Sequence, residues 1–452
     1  MNSSLSSGAA LSSGPSRRSF LRTSAAAGTL LASAPLVIGA EKAKKYRTAL
    51  IGTGWWGTNI LREALASEEC QLVALCDVDE TQIDKCQKEI GGLTSDQPKR
   101  YSDFRDLLDK EKPEIVIVAT PDHWHPLITI AAVQAGAHVY VEKPVGHTIG
   151  EGRAMVKAAR ETQKVVQVGM HRRVSPHNKA GLEFLRSGKV GKIGMVRAFV
   201  HYPGGPETPV ANAEVPKGLD WNMWCGPAPL RPFNPGIHAK GFRNFLDYAN
   251  GTLGDWGIHW MDQILWWTEE KAPRKVASYG GRFIKGPAVN DGKGQTTDAP
   301  DTQVAEWQFD SFIATWEQRN YAANTAEHSN IGVYYYGTNG TFHMGWQDGW
   351  TFFPTFNTEK GKIHMEPQLN KPDDQNIKEL WADFLSCIKS GKRSVCDIEI
   401  GHRSTNMSLL GMLALKLGRS INWDGDKEEI PGDVIANALL KREYRGDWKY
   451  PV

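Results

Sequence analysis

Three residues spread along the chain have the types that proton transfer at a hydroxyl group requires: Lys143, Asp255 and His259. Asp255 and His259 are spaced i, i+4 in a helix-like segment, which predicts that they share one helix face. A carboxylate beside an imidazole raises the imidazole pKa and fixes its orientation. His259 is then the natural general base for a substrate hydroxyl, and Lys143 can stabilise the negative charge that develops on the same oxygen.

Each of these residues also has a purely structural interpretation. His259 would then be a core histidine, Asp255 a helix N-cap, and Lys143 a solvated loop lysine. Asp262 extends the predicted polar face by a further turn and is, with the histidines of 123–125, the next candidate for the base. Whether these residues are catalytic or structural depends on the elements that the rest of the sequence is predicted to form around them.

A glycine-rich turn at residues 52–57 has the pattern of a dinucleotide-binding site. It follows the strand-like run 46–51 and leads into a helix-like segment and a second strand, 71–77, that ends in an acid. This β–turn–α–β context makes G-x-G-x-x-G a specific signal. The first glycine permits the tight turn, the second lets backbone approach a pyrophosphate, and the third lets the helix pack on the strand. The cofactor contacts predicted here are Gly52, Gly54, Trp55, Trp56 and Gly57.

Asp77 ends the second predicted strand. A carboxylate at this position accepts hydrogen bonds from the adenosine ribose hydroxyls and repels a 2′-phosphate. No basic residue follows before Lys85. The sequence therefore favours NAD over NADP as cofactor, with NADP still possible.

Polar residues cluster where further buried strands end. The apolar run 113–120 is typical of a parallel strand buried on both faces, and the run 137–141 leads into Glu142-Lys143-Pro144. Ligands bind at the carboxyl edge of such sheets. We expect His123–His125 to line the nicotinamide cleft, and we predict no metal, because no third ligand has a suitable spacing. The cofactor contacts predicted beyond the glycine turn are Asp77, Thr120, Pro121, His125, Glu142, Lys143 and Arg173.

Four motifs occur in one order along the chain: the glycine turn, Ala119-Thr120-Pro121 with His125 downstream, Glu142-Lys143-Pro144, and the segment 251–262. In this combination the sequence from residue 46 to the C-terminus resembles the Gfo/Idh/MocA family of sugar dehydrogenases. The resemblance implies that Lys143, Asp255 and His259 form the catalytic group. It also implies a C-terminal sheet that serves as the substrate and oligomerisation face.

The hydrophobic pattern changes at residue 192 to short alternating strands, which predicts a mainly antiparallel sheet with one packed face and one open face. We therefore predict an α/β protein with a leader over 1–40, a Rossmann domain over 46–170, and an α+β C-terminal domain over 171–452. The predicted strands of the second sheet are 195–201, 276–283, 303–309, 312–319, 332–337 and 341–344, with helices at 375–390 and 403–418.

Tryptophans are concentrated around the Asp255–His259 segment. Sugars present C–H faces that pack on aromatic rings, so we expect one or two of these tryptophans in a substrate site and the others in the core. Residues 203–250, rich in Pro, Gly and Asn, are predicted to form a long loop over the cleft. Its candidate polar contacts are Lys240, Arg243 and Tyr248, and the tryptophans are Trp221, Trp224, Trp256, Trp260, Trp266 and Trp267.

Residues 1–40 have the pattern of an export signal. Arg17 and Arg18 precede Phe20-Leu21 and an apolar stretch, which is the order found in a twin-arginine signal; the alternative is a chance arginine pair in a disordered tail. The stretch is too short and too rich in Ala and Gly to span a membrane, so we predict a periplasmic protein without a membrane anchor after processing. Removing the leader would change the formal charge from +2 to −1, which gives no electrostatic basis for nucleic-acid binding.

These features together predict an NAD(P)-dependent oxidoreductase that transfers hydride between nicotinamide and a hydroxyl-bearing carbon of a sugar, polyol or glycoside. One alternative is a glycosidase that keeps NAD bound, oxidises the sugar transiently, eliminates the aglycone and reduces the product. Export favours a bound cofactor, because little free NAD is available outside the cytoplasm. A second alternative is a non-catalytic binding protein on the same fold, against which the intact Lys143, Asp255 and His259 count. The expected partners are a small carbohydrate substrate and further copies of the chain, bound through the C-terminal sheet.

Overall fold

The computed structural model describes residues 44–356 and 358–452, so the predicted export signal lies outside the described residues. Apolar strands alternate with amphipathic helices in the first part of this range and form a six-stranded sheet, every pair of which is parallel. Its strands are β1 (Tyr46–Ile51), β2 (Cys70–Cys76), β3 (Lys99–Tyr101), β4 (Ile115–Val118), β5 (His138–Val141) and β6 (Val166–Val168), in the order β3-β2-β1-β4-β5-β6. The helices between them are α1 (Trp55–Ala66), α2 (Glu80–Ile90), α3 (Phe104–Glu111), α4 (His125–Gln134) and α5 (Ile149–Glu161).

Strand order reverses direction between β1 and β4 in this sheet. The chain moves outward from β1 through β2 to β3, then returns to the other side of β1 as β4. The loops after β1 and β4 therefore leave the sheet in opposite directions and open a crevice at its carboxyl edge. The glycine turn follows β1 and the 121–125 segment follows β4, so both lie at this crevice.

The second part of the chain forms a nine-stranded mixed sheet. Only the pair β7–β12 is parallel, and the order is β16-β15-β14-β13-β7-β12-β11-β9-β17, with β8 and β10 as a separate small pair. The strands are β7 (Ile193–His201), β8 (Val210–Ala211), β9 (Lys275–Gly281), β10 (Gly294–Gln295), β11 (Thr302–Gln308), β12 (Ile313–Arg319), β13 (Ile331–Gly337), β14 (Gly340–Gly345), β15 (Trp350–Pro354), β16 (Ile363–Met365) and β17 (Ile421–Asn422). The helices are α6 (Pro176–Arg186), α7 (Trp221–Cys225), α8 (Ile258–Thr268), α9 (Thr358–Gly361), α10 (Ile377–Ser390), α11 (Ile398–Leu417) and α12 (Val434–Ala438).

Alternation along the central strands gives this sheet one buried and one open face. Ala305 and Trp307 on β11, and Ala314 and Trp316 on β12, are fully buried, and the residues between them are exposed or half-buried. The packed face lies against α8 and α11. The predicted fold class, a parallel Rossmann sheet followed by a mainly antiparallel open-faced sheet, is confirmed.

Two C-terminal helices connect the two sheets. Helix α11 packs against α5 of the first sheet's layer and against α8 and β9 of the second. Gly401 is needed on its inner side, because a Cβ there would lie 2.5 Å from the Val168 side chain. Helix α10 belongs by sequence to the C-terminal part, yet its Trp381 packs against Tyr140 in the Rossmann core. Both helices therefore join the two halves of the described chain.

Several local predictions were incomplete. Helix α11 begins at Ile398, earlier than the predicted residue 403. Residues 253–257 form a π-helical turn ahead of α8 instead of a regular helix. The six cysteines are buried and unpaired, as expected for small apolar residues. Among the described residues, no helix has the length and apolarity needed to cross a membrane.

Acid is expected to destabilise this fold, because several histidines are buried in their neutral form. Burial lowers the pKa of His123 to about 3 and the pKa values of His138, His177 and His343 to about 4. In the unfolded chain these groups have a pKa of about 6.5. Their contribution to stability is therefore present above about pH 6.5 and is lost as the pH falls towards about 4. Calorimetry should show a melting temperature that falls over that interval, and a flat profile would contradict neutral burial.

Candidate functional site

A single large cleft of about 1020 Å³ opens at the carboxyl edge of the parallel sheet. The glycine turn and Asp77 line one side, the loop 235–243 lines the other, and the segment around Asp255 and His259 lies at the inner end. Its size is suited to an extended ligand with a second molecule beside it. Most of the residues that the sequence singled out for cofactor binding, and all three singled out for chemistry, thus share one cavity, whereas Gly57, His125 and Arg173 do not line it.

The glycine turn has the geometry that its sequence predicts. Gly52 has a φ of +91°, and a Cβ on it would lie 2.6 Å from the carbonyl of Ala119. A Cβ on Gly57 would lie 2.1 Å from the Gly52 oxygen, so α1 can approach β1 only with glycine there. A Cβ on Gly54 would meet nothing within 4 Å, and this residue lines the cleft. Gly52 and Gly57 therefore serve the fold, whereas Gly54 leaves space for a ligand at the start of α1.

Asp77 is fixed at the end of β2. One carboxylate oxygen accepts hydrogen bonds from the backbone N–H (2.7 Å) and the hydroxyl (3.1 Å) of Thr53, and the other accepts one from the N–H of Asp79 (3.1 Å). Thr53 belongs to the glycine turn, so this contact fixes the carboxylate beside that turn. The arrangement suits recognition of a ribose diol next to a pyrophosphate.

Lys143 and Asp255 form an ion pair across the cleft. Lys143 Nζ lies 2.7 Å from Asp255 Oδ1 and 3.0 Å from the Asp255 carbonyl oxygen. Arg243 Nε donates to the same Oδ1 at 3.2 Å. Burial raises the pKa of Asp255, but the charges of Lys143 and Arg243 outweigh it and hold that pKa below its usual value. Asp255 is therefore an anion that orients two cations.

The predicted pairing of Asp255 with His259 is wrong. Asp255 lies in the π-helical turn and is directed at Lys143, so the i, i+4 relation of a regular helix does not apply. Burial, followed by the positive charge of Lys143, lowers the pKa of His259 well below its ordinary value, which is opposite to the predicted direction. His259 is thus a neutral imidazole at the wall of the cleft, with the ring centroid of Trp346 4.9 Å away. A neutral imidazole is the form that accepts a proton.

Arg173 and Asp262 are structural rather than functional. Arg173 Nε lies 3.0 and 2.9 Å from the two oxygens of Asp262, which also accepts a hydrogen bond from the hydroxyl of Ser404 at 2.8 Å. Both side chains are buried, and neither lines the cleft. The prediction that Arg173 contacts the cofactor, and the role of Asp262 as a reserve base, are therefore corrected: each satisfies the other's charge in the core.

The histidines of the 123–125 segment do not line the cleft as expected. His125 bridges two loops, with Nδ1 2.7 Å from the Pro144 carbonyl and Nε2 2.9 Å from the Thr120 carbonyl. His123 is fully buried among backbone carbonyls of the 203–250 segment. Only Trp124 of the three lines the cleft. His125 holds the strand ends that carry Thr120 and Lys143, and in the part of the chain that the structure describes no cluster of metal-ligating residues occurs.

Several polar atoms along the cleft have no hydrogen-bond partner among the described residues. They are Thr120 Oγ1, Asp122 Oδ2, Glu142 Oε1 and His171 Nδ1, all buried in residues that line the cavity. Burial raises the pKa values of Asp122 and Glu142 to about 7. Unpaired buried polar atoms are costly unless a ligand satisfies them, so these atoms fit a polar ligand. Sequence reasoning assigned no role to Asp122, although it directly follows the motif residue Pro121, or to His171, which lies in the loop after β6.

Aromatic rings surround the inner end of the cleft. Of the six tryptophans considered from the sequence, Trp224 and Trp256 line it, as many as expected. Trp346, which has no motif around it, packs 4.7 Å from Trp256 in the turn between β14 and β15. The guanidinium of Arg172 lies 3.8 Å above the Trp346 ring and holds it in place. Trp256 and Trp346 thus form an aromatic wall beside His259.

The sequence matches known families over most of its length. Residues 46–170 match the Gfo/Idh/MocA oxidoreductase family, NAD-binding Rossmann fold, and residues 192–279 and 308–450 match its C-terminal alpha/beta domain. The chain belongs to the Gfo/Idh/MocA family. It therefore carries an NAD-binding domain and an oxidoreductase fold.

Curated relatives cover only part of this chain. A glycosyl hydrolase family 109 protein from Saccharopolyspora erythraea is 31% identical over 172 residues, which is 33% of this chain and 38% of that protein. Another from Shewanella putrefaciens is 31% identical over 158 residues, or 34% of each chain. The chain thus spans less than two-fifths of the length of these relatives.

Solved structures share the fold over nearly the whole described chain. A levoglucosan dehydrogenase in complex with NADH and levoglucosan is 18% identical with a TM-score of 0.64, and covers 84% of this chain and 99% of its own. The aldose-aldose oxidoreductase of Caulobacter crescentus, complexed with glycerol, is 20% identical with a TM-score of 0.61, and covers 84% and 100%. Identities this low show the fold alone.

Two alanine substitutions in the glycine turn should separate binding from folding. Gly54→Ala is expected to keep the wild-type melting temperature but to weaken NADH binding, because its methyl group enters open space in the cleft. Gly57→Ala is expected to destabilise the protein by about 1–3 kcal/mol through overpacking against the Gly52 carbonyl. Calorimetry and NADH titration check both. Wild-type NADH affinity in a folded Gly54→Ala protein would place the pyrophosphate elsewhere.

Proposed function

We propose that this protein transfers hydride between NAD and a hydroxyl-bearing carbon of a sugar, polyol or glycoside. The observation that carries the proposal is the position of Lys143, 2.7 Å from Asp255 Oδ1, near the neutral His259 at the inner end of the cleft that begins at the glycine turn. This arrangement supports the proposal, because a cation and a base line the same end of the cleft.

The cleft residues fit NAD. The start of α1 and the space at Gly54 suit the pyrophosphate, Asp77 suits the adenosine ribose, and the unpaired atoms of Thr120 and Glu142 suit polar groups farther in. When bound, NAD supplies the hydride-accepting or hydride-donating carbon. The protein's own residues then have to bind the second reactant and move its hydroxyl proton.

His259 is the base in this proposal, and Lys143 is the hydrogen-bond donor. A lysine ammonium has three N–H groups, and Asp255 occupies two of them through Oδ1 and its carbonyl oxygen. The third is free to donate to the substrate oxygen and to stabilise negative charge there as His259 takes the proton. Asp255 therefore acts through Lys143 by directing its N–H groups, not through His259.

The aromatic wall supports a carbohydrate substrate. Trp256 and Trp346 lie beside His259, where the C–H face of a sugar ring can pack on an indole. The similar folds solved with levoglucosan and with UDP-GlcNAcA contain sugar-derived ligands and NADH. Unpaired polar atoms at Asp122 and His171 provide partners for sugar hydroxyls.

The second candidate is a glycosidase that retains NAD and uses it transiently. The names of the curated relatives, glycosyl hydrolase family 109 proteins, favour it. Both candidates begin with the same oxidation at a hydroxyl carbon, so the same residues serve both. They differ in whether the sugar leaves oxidised or leaves without its aglycone.

His259→Ala and Lys143→Ala are expected to lower the rate of hydride transfer by at least about 100-fold, because a positioned base contributes about 10²–10⁴-fold. Both variants should fold and bind NADH, since neither side chain belongs to the apolar core. Single-turnover absorbance of the nicotinamide measures the step. His364→Ala, at an exposed histidine on β16, is the matched control. Wild-type reduction by His259→Ala would assign the base to another group.

We also propose that the chain is exported with its nucleotide already bound, because Arg17 and Arg18 precede an apolar stretch and the cleft is built for NAD. Mass spectrometry of periplasmic protein should find NAD, and activity should not require added cofactor. Arg17→Lys with Arg18→Lys should leave the precursor in the cytoplasm. Unaffected export of that double variant would contradict the signal.

The products of the reaction distinguish the two candidate functions. Cleavage of an aryl glycoside without net oxidation or reduction would select the glycosidase, and formation of an oxidised sugar would select the dehydrogenase.

A further inference from the structure

Residues 235–243, called here the crossing segment, form the wall of the cleft that faces the glycine turn. The segment lies within the long 203–250 connection of the C-terminal part. It passes from the nucleotide end of the cavity to the end that holds Asp255. Sequence reasoning assigned it no cofactor contact.

The crossing segment is held in a defined shape from both sides. Asn234 donates to the Val210 carbonyl at 2.8 Å and accepts a hydrogen bond from the N–H of Gly236 at 2.8 Å. Ile237 and Phe242 are buried in a small apolar cluster of this part of the chain. A side chain can therefore be presented from it at a fixed place.

Three side chains of the crossing segment reach the rest of the cleft. His238 Nε2 lies 2.9 Å from Asp79 Oδ2, two residues after the ribose-reading Asp77. Lys240 Nζ lies 5.3 Å from the ring centroid of Trp55. Arg243 donates to Asp255 at the reactive end. The segment thus contacts both ends of the cleft and its middle.

Lys240 is placed where the glycine turn lacks a cation. Residues 52–57 include no basic side chain, and the start of an α-helix provides only about half a positive charge. Trp55 is the first residue of α1. Within residues 44–356 and 358–452, the Lys240 ammonium forms no ion pair, whereas Lys143 and Arg243 are both paired with Asp255. An exposed cation over the start of α1 lies beside the position that a pyrophosphate dianion would take.

We propose that Lys240 is a cofactor-binding residue that neutralises the NAD pyrophosphate from the C-terminal side of the cleft, and that His238 positions it by fastening the crossing segment to Asp79. The proposal depends on the NAD-binding domain and not on the identity of the substrate or the reaction. The nucleotide is then held between the helix start on one side and Lys240 on the other. A charge supplied by a second part of the chain also slows nucleotide release, because the crossing segment must move aside first.

The test compares ligands that contain and lack the diphosphate, on the full chain stripped of nucleotide. Calorimetric titration with ADP-ribose and with adenosine is expected to show about 3–10-fold weaker ADP-ribose binding in Lys240→Gln, with adenosine unchanged. The difference should shrink at high salt, since the charge is exposed. Lys240→Arg should restore most of the affinity. Lys217→Gln, at an exposed lysine of the same connection outside the cleft, should behave as wild type.

His238→Gln tests the positioning role through release kinetics. NADH bound to the full chain is displaced with excess ADP-ribose, and the fall in nicotinamide fluorescence gives the release rate. NADH release is expected to be faster in His238→Gln and in Lys240→Gln than in wild type. In the double variant the release rate should rise by less than the product of the two single increases, because both substitutions act through one contact. Equal ADP-ribose affinity in Lys240→Gln and wild type, or an equal loss for adenosine, would overturn the proposal. Either result leaves the proposed reaction intact, because that reaction is tested separately at Lys143 and His259.

Discussion

The ion pair between Lys143 and Asp255 is the interaction on which the site depends. Lys143 follows a strand of the Rossmann sheet, and Asp255 lies in the π-helical turn ahead of α8, so the pair forms only when the two halves are docked. Both side chains are largely shielded from water, and a shielded charge is stable only with a partner. Helices α10 and α11, which contact elements of both halves, hold them in this docked arrangement. Any loosening there would separate the cation from the anion that directs it.

The same cation explains the state of the neighbouring imidazole. A histidine paired with an aspartate would be held partly protonated, and a protonated base accepts nothing. Asp255 is paired with Lys143 and Arg243 and not with His259. Burial, and next the nearby positive charges, therefore lower the pKa of His259 and favour its neutral form. The π-helical turn at 253–257 is what turns the aspartate away from the histidine. This local irregularity, of a kind often found at functional sites, thus lets Asp255 contact Lys143 while His259 stays neutral.

The sequence predicted those features that depend on short-range pattern. A characteristic sequence pattern marks the buried parallel strands, the alternating antiparallel strands and the glycine turn. Residues that follow a predicted strand, such as Asp77 and Lys143, lie at the carboxyl edge of the sheet, as expected. Long-range partners were not predictable in this way. The sequence around Arg173 does not reveal whether its side chain contacts a phosphate or Asp262. The contact with Asp262 depends on the position of α8, which carries Asp262. Trp346 lies in a turn with no motif, and it reaches the cleft because the order of the strands in the second sheet brings that turn there.

The cleft contains more proton acceptors than one hydride transfer needs. Oxidation of a hydroxyl requires a single base, and His259 is that base in the proposed reaction. His171 lies 5.6 Å from His259 by ring centroids, is held neutral by burial, and has an unpaired Nδ1. Elimination of an aglycone from an oxidised sugar requires a second base, to remove a proton from the carbon beside the new carbonyl. A second neutral imidazole beside the first provides such a group without any change in the fold. In the proposed glycosidase reaction, a substrate lying between His171 and His259 would therefore meet both bases.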